Sequence, residues 1–254
     1  VKIHLISDTH IEFGKSTIPN VCADTYVLAG DIGLINEPDE LIDYFNDLGE
    51  QCDNLIWVLG NHEFYHSVYE EALIGAKLIA EECGVHLLDV AIGTQDLELN
   101  GVTFWGTTFW TDLHNHDWFA HKKIQDGLND FYVIEKMNGR KFTAHESYEI
   151  NQASRNKINW DADVIITHHN PIDIEHSRFE KSEFSYAFNN TGLEDQISDS
   201  KVKYWLYGHT HDSKITDLNG TLVVSNQVGY NSDPNRYGFV EECGYDPNLI
   251  LEIS

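Results

Sequence analysis

Leu55-Ile56-Trp57-Val58-Leu59 sets five apolar residues in a row, too few for a helix and without a polar face, so the run reads as a strand buried on both sides. Gly60 then lets the backbone turn tightly, and an amide, an imidazole and a carboxylate follow at once in Asn61-His62-Glu63. Polar groups just past the end of a buried strand stand where open α/β sheets place their ligand sites. Four other stretches repeat the arrangement. Val1 to Ser7 runs into Asp8-Thr9-His10, Thr25 to Ala29 into Gly30-Asp31, Asp163 to Thr167 into His168-His169, and Val202 to Tyr207 into Gly208-His209-Thr210-His211.

The intervening chain sets the architecture. A helix is expected from Pro38 to Gln51, with Leu41, Ile42, Phe45 and Leu48 on one face, Pro38 in its first turn and Asp39 and Glu40 at the positive end of its dipole. A second should run from a Ser67 cap to Cys83 and stop at Gly84. Strand, helix, strand in alternation predicts parallel crossovers in a first half-sheet. Farther along, Leu97 to Trp105 around Asn100-Gly101 and Ile215 to Val224 around Asn219-Gly220 carry the strongest short-range hairpin signal. A polar helix is expected near Thr143 to Ile158 and a loop from Ser177 to Thr191. With 254 residues and no linker or repeat, the expectation is one layered α/β domain over residues 1–254.

Composition narrows the partners. Sixteen basic against forty-two acidic residues give a formal charge of −26, a surface that repels nucleic acid phosphates, so non-specific nucleic acid binding is not expected. An anionic substrate must then meet a local positive centre. No apolar run is long enough for a membrane span. Cys22, Cys52, Cys83 and Cys243 are scattered without a Cys-x-x-Cys pair and read as reduced thiols; with no basic and apolar leader at Val1, the expected location is cytoplasmic.

Asp8 and His10, Asp31, Asn61 and His62, His168, and His209 and His211 give a mixed oxygen and nitrogen donor set at one sheet end. Such donors suit Mn, Fe, Zn, Co or Ni better than Ca or Mg. They exceed what one tetrahedral ion takes and fit two ions at the ~3.5–4 Å separation of two-metal hydrolases, if one carboxylate bridges. A single histidine is more often a surface or packed residue, and Asp31 alone could be a helix cap. The joint placement at five strand ends decides for metal. The other histidines have no such placement and read as structural or surface, with His114 and His169 the first exceptions to consider. The loop Phe109 to Phe119 is the best candidate for a substrate-selecting lip, although packing of its aromatics between sheet and helix is the favoured reading.

Asp8-Thr9-His10, Gly30-Asp31, Gly60-Asn61-His62-Glu63, Thr167-His168 and Gly208-His209-Thr210-His211 together, in this order, resemble the signature of the calcineurin-like metallophosphoesterases. Gly60 to Tyr65 is most similar to the small bacterial and phage-type members. The resemblance implies a four-layer αββα sandwich of two mixed sheets with a dinuclear centre at their upper edge. It implies that Asp8, His10 and His211 hold one metal, that Asn61, His168 and His209 hold the other, and that Asp31 bridges. His62 would bind no metal and serve as general acid, with Asp31 and Asn61 the other residues closest to the chemistry.

Two divalent ions would make hydroxide available from a bridging water near neutral pH and offset phosphoryl charge, and His62 as imidazolium would protonate the leaving alkoxide. The expected substrate is a small phosphate monoester or diester, nucleotides included. Protein Ser/Thr phosphatases of the superfamily follow Gly-Asp with x-x-Asp-Arg; here Ile32, Gly33, Leu34 and Ile35 follow Asp31, so their arginine clamp is absent. A protein phosphatase and a non-catalytic binding module on the same fold are the alternatives.

Overall fold

The structure is a computed structural model and describes residues 1–14, 16, 18–174, 184–230 and 241–253. Strands β1 (Lys2–Ile6), β2 (Thr25–Ala29), β3 (Asn54–Val58) and β4 (His86–Leu87) are mutually parallel. A second sheet holds β5 (Asp96–Leu99), β6 (Val102–Thr107), β7 (Val164–Thr167), β8 (Tyr204–Tyr207), β9 (Ile215–Leu218) and β10 (Thr221–Ser225) in the order β5-β6-β7-β8-β10-β9. There β6, β7, β8 and β10 run parallel, and β5 and β9 pair antiparallel as hairpin partners. An edge strand, β11 (Leu251–Glu252), pairs antiparallel with β1, so both sheets are mixed.

Strand periodicity sorts the apolar residues into layers. Ile3, Leu5, Val27, Ala29, Ile56 and Val58 of the first sheet meet Val102, Phe104, Val164, Ile166, Leu206 and Val224 of the second. The alternate residues Tyr26, Leu28, Leu55 and Trp57 face helices Pro38–Gly49 and Tyr69–Cys83. On the far side Trp105, Ile165, Trp205 and Val223 pack on Leu193 and on Ile197 of the Glu194–Asp199 helix that follows it. Two mixed sheets between helices are the expected four-layer arrangement.

Both Asn-Gly turns have the expected left-handed residues, with φ 53° and 77° at Asn100 and Gly101 and 55° and 102° at Asn219 and Gly220. Helix Ala144–Arg155 opens with a full capping box between Thr143 and Glu146. The Ser67 cap is not formed. The helix starts at Tyr69, where the Tyr69 N–H donates to the Glu135 carbonyl at 2.8 Å and the Glu135 N–H to that of Ser67 at 2.9 Å. A backbone bridge satisfies this helix end instead of a side chain. Of the expected loop Ser177 to Thr191, residues 177–183 lie outside the described residues, as does His176, and Ser185–Ala187 forms a 3-10 turn. Among the described residues, no helix is long and apolar enough to cross a membrane.

Candidate metal centre

β1, β2 and β3 in one sheet and β7 and β8 in the other end at the same edge, which brings all the expected residues together. The backbone bends sharply there. Asp8, His10, Asp31, His209 and His211 all have positive φ, between 44° and 70°. Each such conformation costs a non-glycine residue on the order of 1–3 kcal/mol and tends to gather at functional sites. Gly60 permits the close approach of two strand ends, because a Cβ there would overlap the Asp31 carboxylate. Glu63, fully buried, ties the same two ends by accepting from the backbone N–H groups of Gly60, Asp31 and Ile32 at 2.8, 3.0 and 2.9 Å.

Two donor groups result. In one, the Nε2 atoms of His10 and His211 lie 3.1 Å apart, and His211 Nε2 is 3.4 Å from Asp8 Oδ1. In the other, His168 Nε2 lies 3.1 Å from Asn61 Oδ1 and 3.3 Å from Asp31 Oδ1, with the His209 ring beside it, its centroid 5.0 Å from that of His168. Asp31 stands between the groups, its Oδ2 3.8 Å from His10 Nε2. Donors at about 2.0–2.2 Å from a divalent ion stand roughly 3–3.5 Å from one another. The close separations on each side fall in that range.

The tautomers agree. His168 Nδ1 donates to the Ala29 carbonyl at 2.8 Å, His10 Nδ1 faces Glu12 Oε1 at 3.2 Å, and His211 Nδ1 faces Glu241 Oε2 at 2.6 Å. With each Nδ1 carrying the proton, the Nε2 lone pairs of His10 and His211 point at one another. That repulsion is relieved by a cation, and the donor set therefore fits one.

Four acids support this shell, and of these only Glu63 was singled out by the sequence. Glu12 and Glu241 hold imidazoles, Glu63 holds the turn, and Asp130 accepts from Asn61 Nδ2 and the Tyr65 hydroxyl, both at 2.8 Å, which turns Asn61 Oδ1 toward His168. Burial opposes charge on Glu12, but bonds to His10 and His62 outweigh it and push its carboxyl down to about 2. Burial likewise opposes charge on His62 and His168. The Asp31 carboxylate overcomes it in both, with Glu12 helping at His62, and each rises to about 9. At His10 and His209 the balance goes the other way, where burial first and the charge of neighbouring histidines second push the rings down. His169 is pushed down to about 3, first by burial and then by the charge of His168; its Nδ1 donates to the Thr108 carbonyl at 3.2 Å, and it packs behind His209.

A cleft of about 250 Å³ opens on the site, floored by Asp31, Asn61, His62, His209 and His211 and walled by Tyr65, Phe188, Tyr230 and the 127–130 segment. The candidate aromatic lip is not part of it. Phe109 packs edge-on against Trp105 and Trp205, and Trp110 packs on Phe142. Asn151 Nδ2 donates to both their carbonyls, at 2.9 and 3.1 Å, and fixes the segment inward. Asp112 pairs with Arg155 at 3.2 Å and is buried, while His114 is exposed and stacks on Tyr186.

Residues 1–213 match the calcineurin-like phosphoesterase family. An uncharacterized protein of Acanthamoeba polyphaga mimivirus is 25% identical over 282 residues, covering 98% of each chain. The crystal structure of the phosphopantetheinyl hydrolase of Mycobacterium tuberculosis superposes with a TM-score of 0.70 at 17% identity, over 94% of this chain and 93% of that one, a likeness of fold.

Proposed function

Since the chain belongs to the calcineurin-like phosphoesterases and is thus a phosphoester hydrolase in general terms, we propose that it hydrolyses small phosphate esters at a dinuclear centre built on these strand ends. Asp8, His10 and His211 would hold one ion, Asn61, His168 and His209 the other, with Asp31 shared, all within one domain. The observation that carries the reading is the pair of donor groups with Asp31 between them, each spaced as ligands of one ion are. Bound divalent ions would supply hydroxide near neutral pH and offset the charge of the phosphoryl oxygens. Mixed oxygen and nitrogen donors favour Mn, Fe, Zn, Co or Ni.

The chain's own residues do the rest. His62 Nδ1 lies 2.8 Å from Glu12 Oε1, so Nε2 is the atom left to pass a proton to the leaving oxygen. Tyr65 stacks on the His62 ring, with centroids 4.1 Å apart, and limits its rotation. Tyr65, Phe188 and Tyr230 shield the floor from bulk water, which strengthens electrostatic interactions inside the cleft.

Elemental analysis should find about two transition-metal ions per chain after loading with Mn or Zn, and the loaded protein should cleave p-nitrophenyl phosphate, bis-p-nitrophenyl phosphate or both. No metal taken up from either salt would sink the proposal. His62→Asn should retain both ions and lose roughly 10²–10⁴-fold on esters with poor leaving groups, with a smaller loss on p-nitrophenyl esters, whose leaving group is already a stable anion. Equal losses on both would reassign His62 to phosphoryl charge or positioning.

A further inference from the structure

Glu12 has no part in either donor group, yet it lies at the point where the two functions of the centre meet. It sits in the 3-10 turn Ile11–Phe13, two residues past the end of the Asp8-Thr9-His10 stretch, with a side chain only 6% exposed. A single oxygen, Oε1, faces His10 Nδ1 at 3.2 Å and His62 Nδ1 at 2.8 Å. The other oxygen, Oε2, is buried and has no hydrogen-bond partner among the described residues. A buried carboxylate oxygen without a partner is unfavourable, and an apolar side chain would fill the space at lower cost. The two imidazoles are what the acid serves.

We propose that Glu12 is a positioning residue shared by metal binding and proton transfer, one carboxylate oxygen fixing both the ring of His10 and the ring of His62. The proposal rests on the reading of the centre given above. The two rings meet edge to face with centroids 4.4 Å apart, at an interplanar angle of 69°. Anchoring both Nδ1 atoms at one point turns each Nε2 away from Glu12. For His10 that atom is the lone pair offered to the ion, and for His62 it is the proton carrier. A change at position 12 must therefore weaken metal binding and leaving-group protonation together, although neither group bonds to the other. A residue that served only to hold His10 would move the first quantity alone.

The test uses the full chain as wild type, Glu12→Gln, Glu12→Asp, His62→Asn and the Glu12→Gln/His62→Asn double variant. Calorimetric titration with MnCl2 reads metal affinity. Hydrolysis of ethyl phosphate against p-nitrophenyl phosphate, or the corresponding diesters, at saturating Mn reads leaving-group dependence. In Glu12→Gln the negative charge shared by the two N–H groups is lost, and a buried NH2 without an acceptor takes the place of Oε2, so neither ring is held as before. Mn affinity should fall about 10–100-fold, the scale of losing a partner that orients a ligand. The ethyl ester should lose roughly tenfold or more beyond the loss on the p-nitrophenyl ester. Because Glu12 acts through His62 on that step, the double variant should be no slower on the ethyl ester than His62→Asn.

Unchanged Mn affinity, equal losses on the two esters, or additive losses in the double variant would each overturn the proposal. Should Glu12→Gln fail to fold, Glu12→Asp decides. One methylene shorter, it keeps the charge but cannot span both rings, so wild-type values of both readouts would overturn the proposal. A wild type that takes up no Mn or cleaves neither ester type speaks against the centre as a whole. A wild type that does both beside a silent Glu12→Gln speaks against Glu12 alone.

Discussion

The two donor groups use the same kinds of side chain and are held in different ways. Around Asp8, His10 and His211, charge does the holding. Glu12 takes His10 Nδ1 and Glu241 takes His211 Nδ1, while Asp8 accepts from the His209 backbone N–H at 2.9 Å. Around Asn61, His168 and His209, the Asp130 carboxylate holds only the amide, and the two imidazoles are held by a neutral group and by packing. The Ala29 carbonyl takes His168 Nδ1, and the His209 ring lies between those of His169 and Phe188, with centroids 4.2 and 4.9 Å away. A carboxylate behind an imidazole raises its basicity, whereas a backbone carbonyl does so less. The first pocket is therefore expected to be the tighter one, and the second to be the one that loses its ion first on dilution or chelation.

The largest effect should come from the residue that belongs to both sides. Asp31→Asn replaces the charge between the groups with an amide, and its Oδ1 also accepts from the His62 N–H at 2.9 Å. Both affinities should drop, and the hydrolytic rate should fall on the order of 10³-fold or more, as when a central member of a catalytic unit is removed. Metal content by elemental analysis beside kcat checks it. Retention of two ions and full rate in Asp31→Asn would remove the shared ligand, and with it the division into two pockets.

The residues proposed as donors were legible as a set in the sequence, because they stand at the ends of five stretches read as strands, and the two hairpins were legible from Asn100-Gly101 and Asn219-Gly220. What holds the donors was not. Glu12, Asp130 and Glu241 are three acids in a chain with forty-two, and in the sequence they look like the charges of a solvated surface. Their partners lie far away: Glu12 meets His62 across 50 positions, Asp130 meets Asn61 across 69, and Glu241 meets His211 across 30. No local period carries such pairings. Helix Trp118–Gly127 went unread because it buries only Ala120 and Ile124, too few for an apolar stripe, while Trp118 stays 75% exposed. The Phe109 to Phe119 stretch was ambiguous for a related reason: its aromatics can fill a core or line a lip, and the contacts that decide for packing come from Asn151 and Asn190, which bind its backbone from elements remote in sequence.

Between the two pockets, Glu241→Gln is the sharper probe. Glu241 Oε2 accepts from His211 Nδ1 and also from the Tyr230 N–H at 2.9 Å, so the substitution loosens the ligand without touching the second group. The affinity of the first pocket should fall roughly 10–100-fold while that of the second stays where it was. A competition titration with a chelator, followed by metal count, should then show the order of release reversed from wild type. If both ions still leave in the wild-type order, charge behind His211 is not what makes the first pocket tight.

The smallest effect tests the packed side. Phe188 stacks on the His209 ring at an interplanar angle of 29°, and no charge takes part in that contact. Aromatic pairs of this kind are worth about 0.5–1.5 kcal/mol beyond the area they bury. Phe188→Leu keeps the apolar wall but gives up the flat face, so His209 gains freedom about its side-chain torsions and must be ordered again each time an ion binds. The cost appears as a loss of about 2–10-fold in the affinity of the second pocket, since 1.4 kcal/mol is a factor of ten. Two features distinguish it from the Glu241→Gln effect. It should fall on the opposite pocket, and it should be nearly independent of ionic strength, because packing is not screened by salt whereas interactions of charges are. Measuring both variants by the same chelator titration at low and high salt reads the difference directly. A loss in Phe188→Leu that shrinks with salt, or that falls on the Asp8, His10 and His211 side, would show that the two pockets are not held by different forces.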